Sequence, residues 1–135
     1  MPKVYLAGPI NGCTTVEAGG WRLEAADKLK AVGFDVFNPF LRDYRGSEDE
    51  NYVQIVTDDK GDIMASDFII ANCPKPSVGT SMEIFLAWQI GKAAIVIAPK
   101  PVSPWIRFHA KVVVDTLDEA IKYLVENADK EWRVV

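Results

Sequence analysis

Apolar and polar positions fall into blocks along this chain, and the period of each block changes as the chain advances. Lys3–Ala7 is a short run of β-type residues closed by Gly8-Pro9. Ala18, Trp21, Ala25, Leu29 and Val32 then recur at helical spacing, with Gly33 as the stop. Residues 34–37 predict a second strand, ended by Asn38-Pro39, and a polar loop follows over 41–50 with Arg42, Asp43, Tyr44, Arg45 and Gly46. Tyr52, Val56, Asp59 and Ile63 step by four, three and four, which predicts a second helix with Asp59 on its inward stripe and Asp58 and Asp62 pointing elsewhere. Phe68–Asn72 reads as a third, buried strand, 79–90 as a third helix and 93–98 as a fourth strand. The Pro-rich stretch 99–104 reads as a loop that carries on through Trp105 and His109 to a fifth strand, Val112–Val114. Thr116 and Glu119 make a capping-box signature for a last helix to about Glu126.

Strands and helices therefore alternate from end to end, with no internal repeat. That order predicts a single α/β domain over residues 1–135, doubly wound and flavodoxin-like or Rossmann-like: a five-stranded parallel sheet with helices on both faces. Ligands of such sheets bind beyond the carboxyl ends of the strands. Gly8-Pro9, Asn38-Pro39, the turn 77–79 and the 99–104 stretch all fall at that edge.

At 135 residues, 49% hydrophobic and 25% charged, the chain has ordinary globular proportions and room for one core. Its net charge of −4 speaks against a nucleic-acid polymer or an anionic membrane as partner, though an anionic small molecule remains compatible. Two cysteines, Cys13 and Cys73, are too few for a disulfide scaffold, and with one histidine besides no metal site is expected. The longest apolar run is far short of the roughly 20 residues that span a bilayer. A soluble, cytoplasmic setting is the expectation.

The densest chemical signal lies after the third strand, in Ser77-Val-Gly79-Thr80-Ser-Met-Glu83. Helix-initial amides lack intrahelical partners and welcome anions, and the dipole favours an ionised carboxylate nearby. Glu83 is thus placed as a nucleophile, although a favourable first-turn charge explains its position as well. Asp59 on an apolar stripe is a costly placement unless it belongs to a structural network or a site. Two such carboxylates are the minimum set for work at a glycosidic carbon. Gly8 fits either close approach of backbone to a ligand or a tight turn. The G-x-G-x-x-G and G-x-x-x-x-G-K-[ST] spacings are absent, so no dinucleotide or ATP fingerprint is present. Cys73 and His109 lack a third orienting group, and Cys73 reads as packing.

Tyr5-Leu-Ala-Gly8-Pro9, then Asp59 with Asp67 ahead of the third strand, then Gly79-Thr-Ser-Met-Glu83, together resemble the nucleoside 2-deoxyribosyltransferase family, including its branch of 2'-deoxynucleoside 5'-monophosphate N-hydrolases. The resemblance runs from Val4 to roughly His109. It implies that Glu83 attacks the anomeric carbon to form a glycosyl–enzyme intermediate, that Asp59 helps the base depart, and that Tyr5 hydrogen-bonds near Glu83. Asp67 reads as a turn residue rather than a catalyst.

Where many transferases of the family carry an aspartate six residues before the glutamate, this chain has Ser77, as the monophosphate hydrolases do. The resemblance further implies a phosphate cradle of Ser77, Gly79 and Thr80, joined by Ser103 from a neighbouring subunit of a homodimer or larger oligomer. Pro9 and Asn11 replace a serine and an arginine of those hydrolases, so positive charge must come from elsewhere, with Arg45 and Arg107 as candidates. No cofactor is implied. The favoured substrate is a (deoxy)nucleoside 5'-monophosphate. The alternatives are base exchange on free deoxynucleosides and, in another class, a non-catalytic nucleotide sensor.

Overall fold

Five parallel strands, β1 (Lys3–Ala7), β2 (Asp35–Phe37), β3 (Phe68–Asn72), β4 (Ala93–Ile97) and β5 (Val112–Val114), pair in the order β2-β1-β3-β4-β5 in a computed structural model that describes residues 1–42 and 44–128. Asp43 of the polar loop lies outside the described residues. The strand order reverses between β1 and β3, so the loops leaving these two strands diverge and open a crevice at their carboxyl ends. The helices are α1 (Trp21–Ala31), α2 (Glu48–Ala65), α3 (Val78–Gln89), α4 (Pro104–His109) and α5 (Leu117–Asn127), and a wide turn, Val16–Gly20, leads into α1.

The pleat sends alternate strand residues to opposite faces. Val4, Leu6, Phe68, Ile70 and Ile95 face α1 and α5, where they meet Ala25, Leu29, Ala120 and Leu124. Tyr5, Ala7, Ile69, Ala71 and Val96 face the other way, against Ile63 of α2 and Ile84 and Ala87 of α3. Tyr5 therefore points towards α3 as a consequence of strand register. Asp67 closes the opposite, amino-terminal end of the sheet: its carboxylate accepts from the Lys3 amide at 2.8 Å, which makes it a strand tie.

Three details differ from the expectations. Residues 104–109 form a short helix, because Ser103 caps the Trp105 amide and Pro104 occupies the first helical position, where its missing N–H costs nothing. In α1 the buried stripe is Ala18, Arg22, Ala25, Ala26 and Leu29, while Trp21 is only partly buried and Val32 is exposed. In α2 Tyr52 and Val56 face solvent, and the inward side runs through Ile55, Asp58, Asp59, Asp62 and Ile63. Among the described residues no helix is long and apolar enough to cross a membrane.

Candidate active site

Glu83 is the sixth residue of α3, beyond the first turn, on the inward stripe with Thr80, Ile84 and Ala87. A first-turn surface charge is therefore excluded. The stripe presents Glu83 to β1, where the Tyr5 hydroxyl donates a short hydrogen bond to Glu83 Oε2. Burial dominates the electrostatics of both groups. It drives the Tyr5 hydroxyl well above the usual phenol range, so Tyr5 remains a donor. It also pushes the Glu83 carboxyl up to about 7, against the hydrogen bond from Tyr5 and the charge of Arg22, which favour the ionised form, and with Asp59, which opposes it. The helix dipole does not keep this carboxyl low, because Glu83 sits too far along α3 and too deep.

Asp59 reaches the same cleft from α2. Arg42, from the loop before α2, brackets it: Nη2 lies 3.1 Å from Asp59 Oδ1 and 2.7 Å from Asp62 Oδ2, and Nε lies 3.7 Å from Asp58 Oδ2. Asp58 and Asp62 thus converge on Asp59 through Arg42 instead of pointing away. Burial still raises the Asp59 carboxyl above its ordinary value; Arg42 works against the rise, and Asp62 and Asp58 add to it.

Gly8 lines the cleft at the end of β1. A Cβ there would come within 2.9 Å of the Trp21 ring, 3.2 Å of the Asn72 carbonyl and 3.4 Å of the Arg22 guanidinium. Glycine is required by the packing of α1 and β3 around this turn.

Ser77 caps α3. Its Oγ accepts from the Thr80 amide at 3.4 Å and lies 2.9 Å from Thr80 Oγ1. Ser77, Gly79 and Thr80 form one wall of the cleft, about 280 Å³ in volume, whose floor is Tyr5, Glu83 and Asp59. Arg22, Arg42, Tyr44 and Arg45 line the same space. Arg45 is oriented by the Cys13 carbonyl at 3.3 Å and Thr15 Oγ1 at 3.1 Å, and its guanidinium lies 4.9 Å from the Phe40 ring centre.

Tyr5, Gly8, Asp59, Ser77, Gly79, Thr80 and Glu83 all line this one cleft, and Ser103 does not. Ser103 lines a second, apolar groove of about 980 Å³ between α2, α3 and α4, whose lining also includes Asp59, Ser77, Gly79 and Glu83. Arg107 is exposed and does not line the cleft. His109 is no phosphate ligand: it is buried among Phe85, Trp88, Trp105 and Phe108, with Nδ1 2.7 Å from the Trp105 carbonyl. Burial lifts the Cys73 thiol to about 11, an unreactive state.

Arg22 and Arg42 escaped the sequence reading. Arg22 left a usable sign, an arginine at the i+4 position from Ala18 and three before Ala25 on a stripe of buried residues. Arg42 left none, because only the folded loop carries it to α2.

A doubly wound sheet with two carboxylates, a phenol and a capped helix terminus at its switch point defines an α/β enzyme of small anionic or polar ligands. The chain belongs to the nucleoside 2-deoxyribosyltransferase family, whose family model matches residues 4–130. Its members are transferases or hydrolases of N-glycosidic bonds and act on small nucleosides or nucleotides. Among solved structures the chain is similar to a 2-deoxyribosyltransferase from Leishmania mexicana, at 18% identity and a TM-score of 0.70, over 94% of this chain and 99% of the other. A 2-deoxyribosyltransferase from Bacillus psychrosaccharolyticus gives 19% identity and a TM-score of 0.69, over 90% and 91%. The CMP N-glycosidase BcmB of Clostridium botulinum gives 25% identity and a TM-score of 0.58, over 90% and 96%. A search among curated proteins found no significant match.

Proposed function

We propose that this enzyme cleaves the N-glycosidic bond of (deoxy)nucleoside 5'-monophosphates, with Glu83 as nucleophile. The observation that carries the reading is the convergence of Tyr5, Glu83 and Asp59 on one cleft whose wall is the Ser77-capped start of α3. Glu83 as a carboxylate attacks the anomeric carbon, the bond from that carbon to the base nitrogen breaks, and its electron pair leaves with the base. Asp59, the second carboxyl lining the cleft, supplies a proton to the departing ring. Water then attacks the anomeric carbon of the glycosyl ester, Asp59 takes up the proton, and Glu83 is released as a carboxylate. Tyr5 holds the Glu83 oxygen throughout. This is the two-carboxylate retaining scheme applied to nitrogen as leaving atom.

Three features support a monophosphate. Ser77 stands where an acid would repel a phosphate by about 4 kcal/mol per charge pair at 4 Å and an effective dielectric of about 20. Gly79 offers a helix-initial amide and Thr80 a hydroxyl beside it, and Arg45 supplies positive charge in the cleft. The similarity to a CMP N-glycosidase supports the same substrate class. Deoxyribosyl transfer between bases is the second reading, favoured by the greater fold similarity to the two 2-deoxyribosyltransferases. Ser103 of a neighbouring subunit would complete the phosphate cradle in a homo-oligomer.

Release of free base from a panel of ribo- and deoxyribonucleosides and their 5'-monophosphates tests the proposal, with a second base added in a parallel set. Release from monophosphates alone is expected. New nucleoside formed only from free nucleosides plus the second base would replace the hydrolase by the transferase. Tight binding with no product from any member would revive a sensor.

A further inference from the structure

Arg22 is fully buried, and each of its three nitrogens donates to a neutral acceptor. Nε donates to the Leu6 carbonyl at 3.3 Å, Nη1 to Ala18 at 2.5 Å and Nη2 to Gly8 at 2.8 Å. The guanidinium also lies 4.9 Å from the Trp21 ring centre. Among the described residues no carboxylate comes within ion-pairing distance of it. A buried cation costs several kcal/mol unless a counter-charge compensates it, and a guanidinium sheds its proton only with great difficulty. Even with burial lowering it to about 10, Arg22 stays charged at neutral pH. Tying three carbonyls together does not require that charge, since neutral donors would serve.

The cleft explains the charge. Arg22 from α1 lines it together with Tyr5 from β1, Asp59 from α2 and Glu83 from α3. The charge of Arg22 acts on Tyr5, Glu83, Asp59 and Cys13, and the ionisation of Glu83 is in turn opposed by Asp59 and favoured by Tyr5 and Arg22. Arg22 is the one cation in that set. Arg42, the nearest alternative, is engaged with Asp58, Asp59 and Asp62. Gly8 fits the arrangement, because a larger residue would press on both Trp21 and the guanidinium.

We propose that Arg22 is a positioning residue: its guanidinium, held by backbone carbonyls rather than by an acid, is the fixed positive charge that favours the carboxylate form of Glu83 beside Tyr5. The role rests on Glu83 being the nucleophile, but the charge coupling is measurable without turnover. In protein labelled with carbon-13 at the glutamate carboxyls, Glu83 is assigned with Glu83→Gln and titrated between pH 4 and 10. Arg22→Met and Arg22→Gln are expected to raise the Glu83 midpoint by about one pH unit or more, and Arg22→Lys, which keeps the charge, by less. Arg22→Gln retains donors, so a shift there separates charge from hydrogen bonding. In wild-type protein the nitrogen-15 signal of Arg22 Nε is expected to move with the Glu83 midpoint and to stop moving in Glu83→Gln.

An unchanged midpoint in folded Arg22→Met or Arg22→Gln overturns the proposal. If neither folds, an Arg22 Nε signal indifferent to Glu83 overturns it. An inactive protein with the shifted midpoints would sink the nucleophile reading and leave the coupling standing; an active protein with unshifted midpoints would do the reverse.

Discussion

Glu83 is both the group with most to do and the one least comfortable where it stands. With its carboxyl raised to about 7 by burial, Glu83 becomes the carboxylate that the proposed attack requires only as pH rises through neutrality. The acidic limb of kcat/KM is therefore expected near pH 7, and a limb near 4.5 would contradict the site's electrostatics. Tyr5→Phe removes the hydrogen bond that favours ionised Glu83, so it should move that limb upward and lower kcat about 10- to 100-fold, the worth of one charge-assisted hydrogen bond. Stability follows the same linkage. The folded protein holds the Glu83 proton up to about 7, whereas the unfolded chain releases it near 4.5, so folding loses stability as pH rises between those values. Glu83→Gln removes this cost and should stabilise the protein by up to about 3 kcal/mol above pH 7, with little effect at pH 4; thermal unfolding at the two pH values checks it. At this scale Glu83 was legible as a candidate from its place after a strand–turn–helix junction, although a favourable first-turn charge fitted that place as well. Its ionisation was not, since burial by β1 and α2 is invisible in the local sequence. Arg22 was overlooked because the apolar spacing drew attention to Trp21, yet Arg22 is the buried member of the pair.

Ser77 caps α3 and, on the proposed reading, also meets the phosphate, and substitution can separate the two. Ser77→Ala removes the cap and should cost about 1 kcal/mol of stability. Ser77→Asp keeps a good cap yet adds a charge in the cleft. It should leave thermal stability intact while lowering kcat/KM for monophosphates by up to about 10³-fold, with free nucleosides spared. Equal losses on both substrate classes would show that Ser77 only caps. In α2, Arg42→Ala removes the charge that lowers Asp59 and leaves three aspartates facing each other, so the Asp59 carboxyl should titrate higher than in the wild type, read by carboxylate NMR. Strands were legible almost to the residue, because short β-branched runs bounded by Gly and Pro have one reading. The helix α4 was misread because Pro104 was taken as a breaker, whereas Ser103-Pro104 is a cap followed by a first-position proline. The inward side of α2 was misassigned because apolar spacing favoured Tyr52 and Val56. The aspartates turn inward instead because Arg42 meets them there.

Across the whole molecule, the alternation of strands and helices gave the doubly wound class, and the switch between β1 and β3 gave the edge where the site lies. Within one chain Ser103 stays outside the cleft of Tyr5 and Arg22 and lines the groove between α2, α3 and α4, which shares Ser77 and Glu83 with that cleft. If a neighbouring subunit brings its Ser103 to the cleft, light scattering at assay concentration will show a dimer or larger species. Ser103→Ala will then weaken monophosphate turnover without dissociating it; a monomer that retains full activity excludes that role.

The central claim is that Glu83 forms a covalent bond to the sugar. Rapid acid quenching during turnover of a deoxynucleoside 5'-monophosphate, followed by proteolysis and mass spectrometry, looks for it directly. The account predicts a deoxyribose-phosphate ester on the peptide that contains Glu83, absent from Glu83→Gln. An adduct on another residue, or rapid base release with inverted configuration at the anomeric carbon and no adduct, would contradict it.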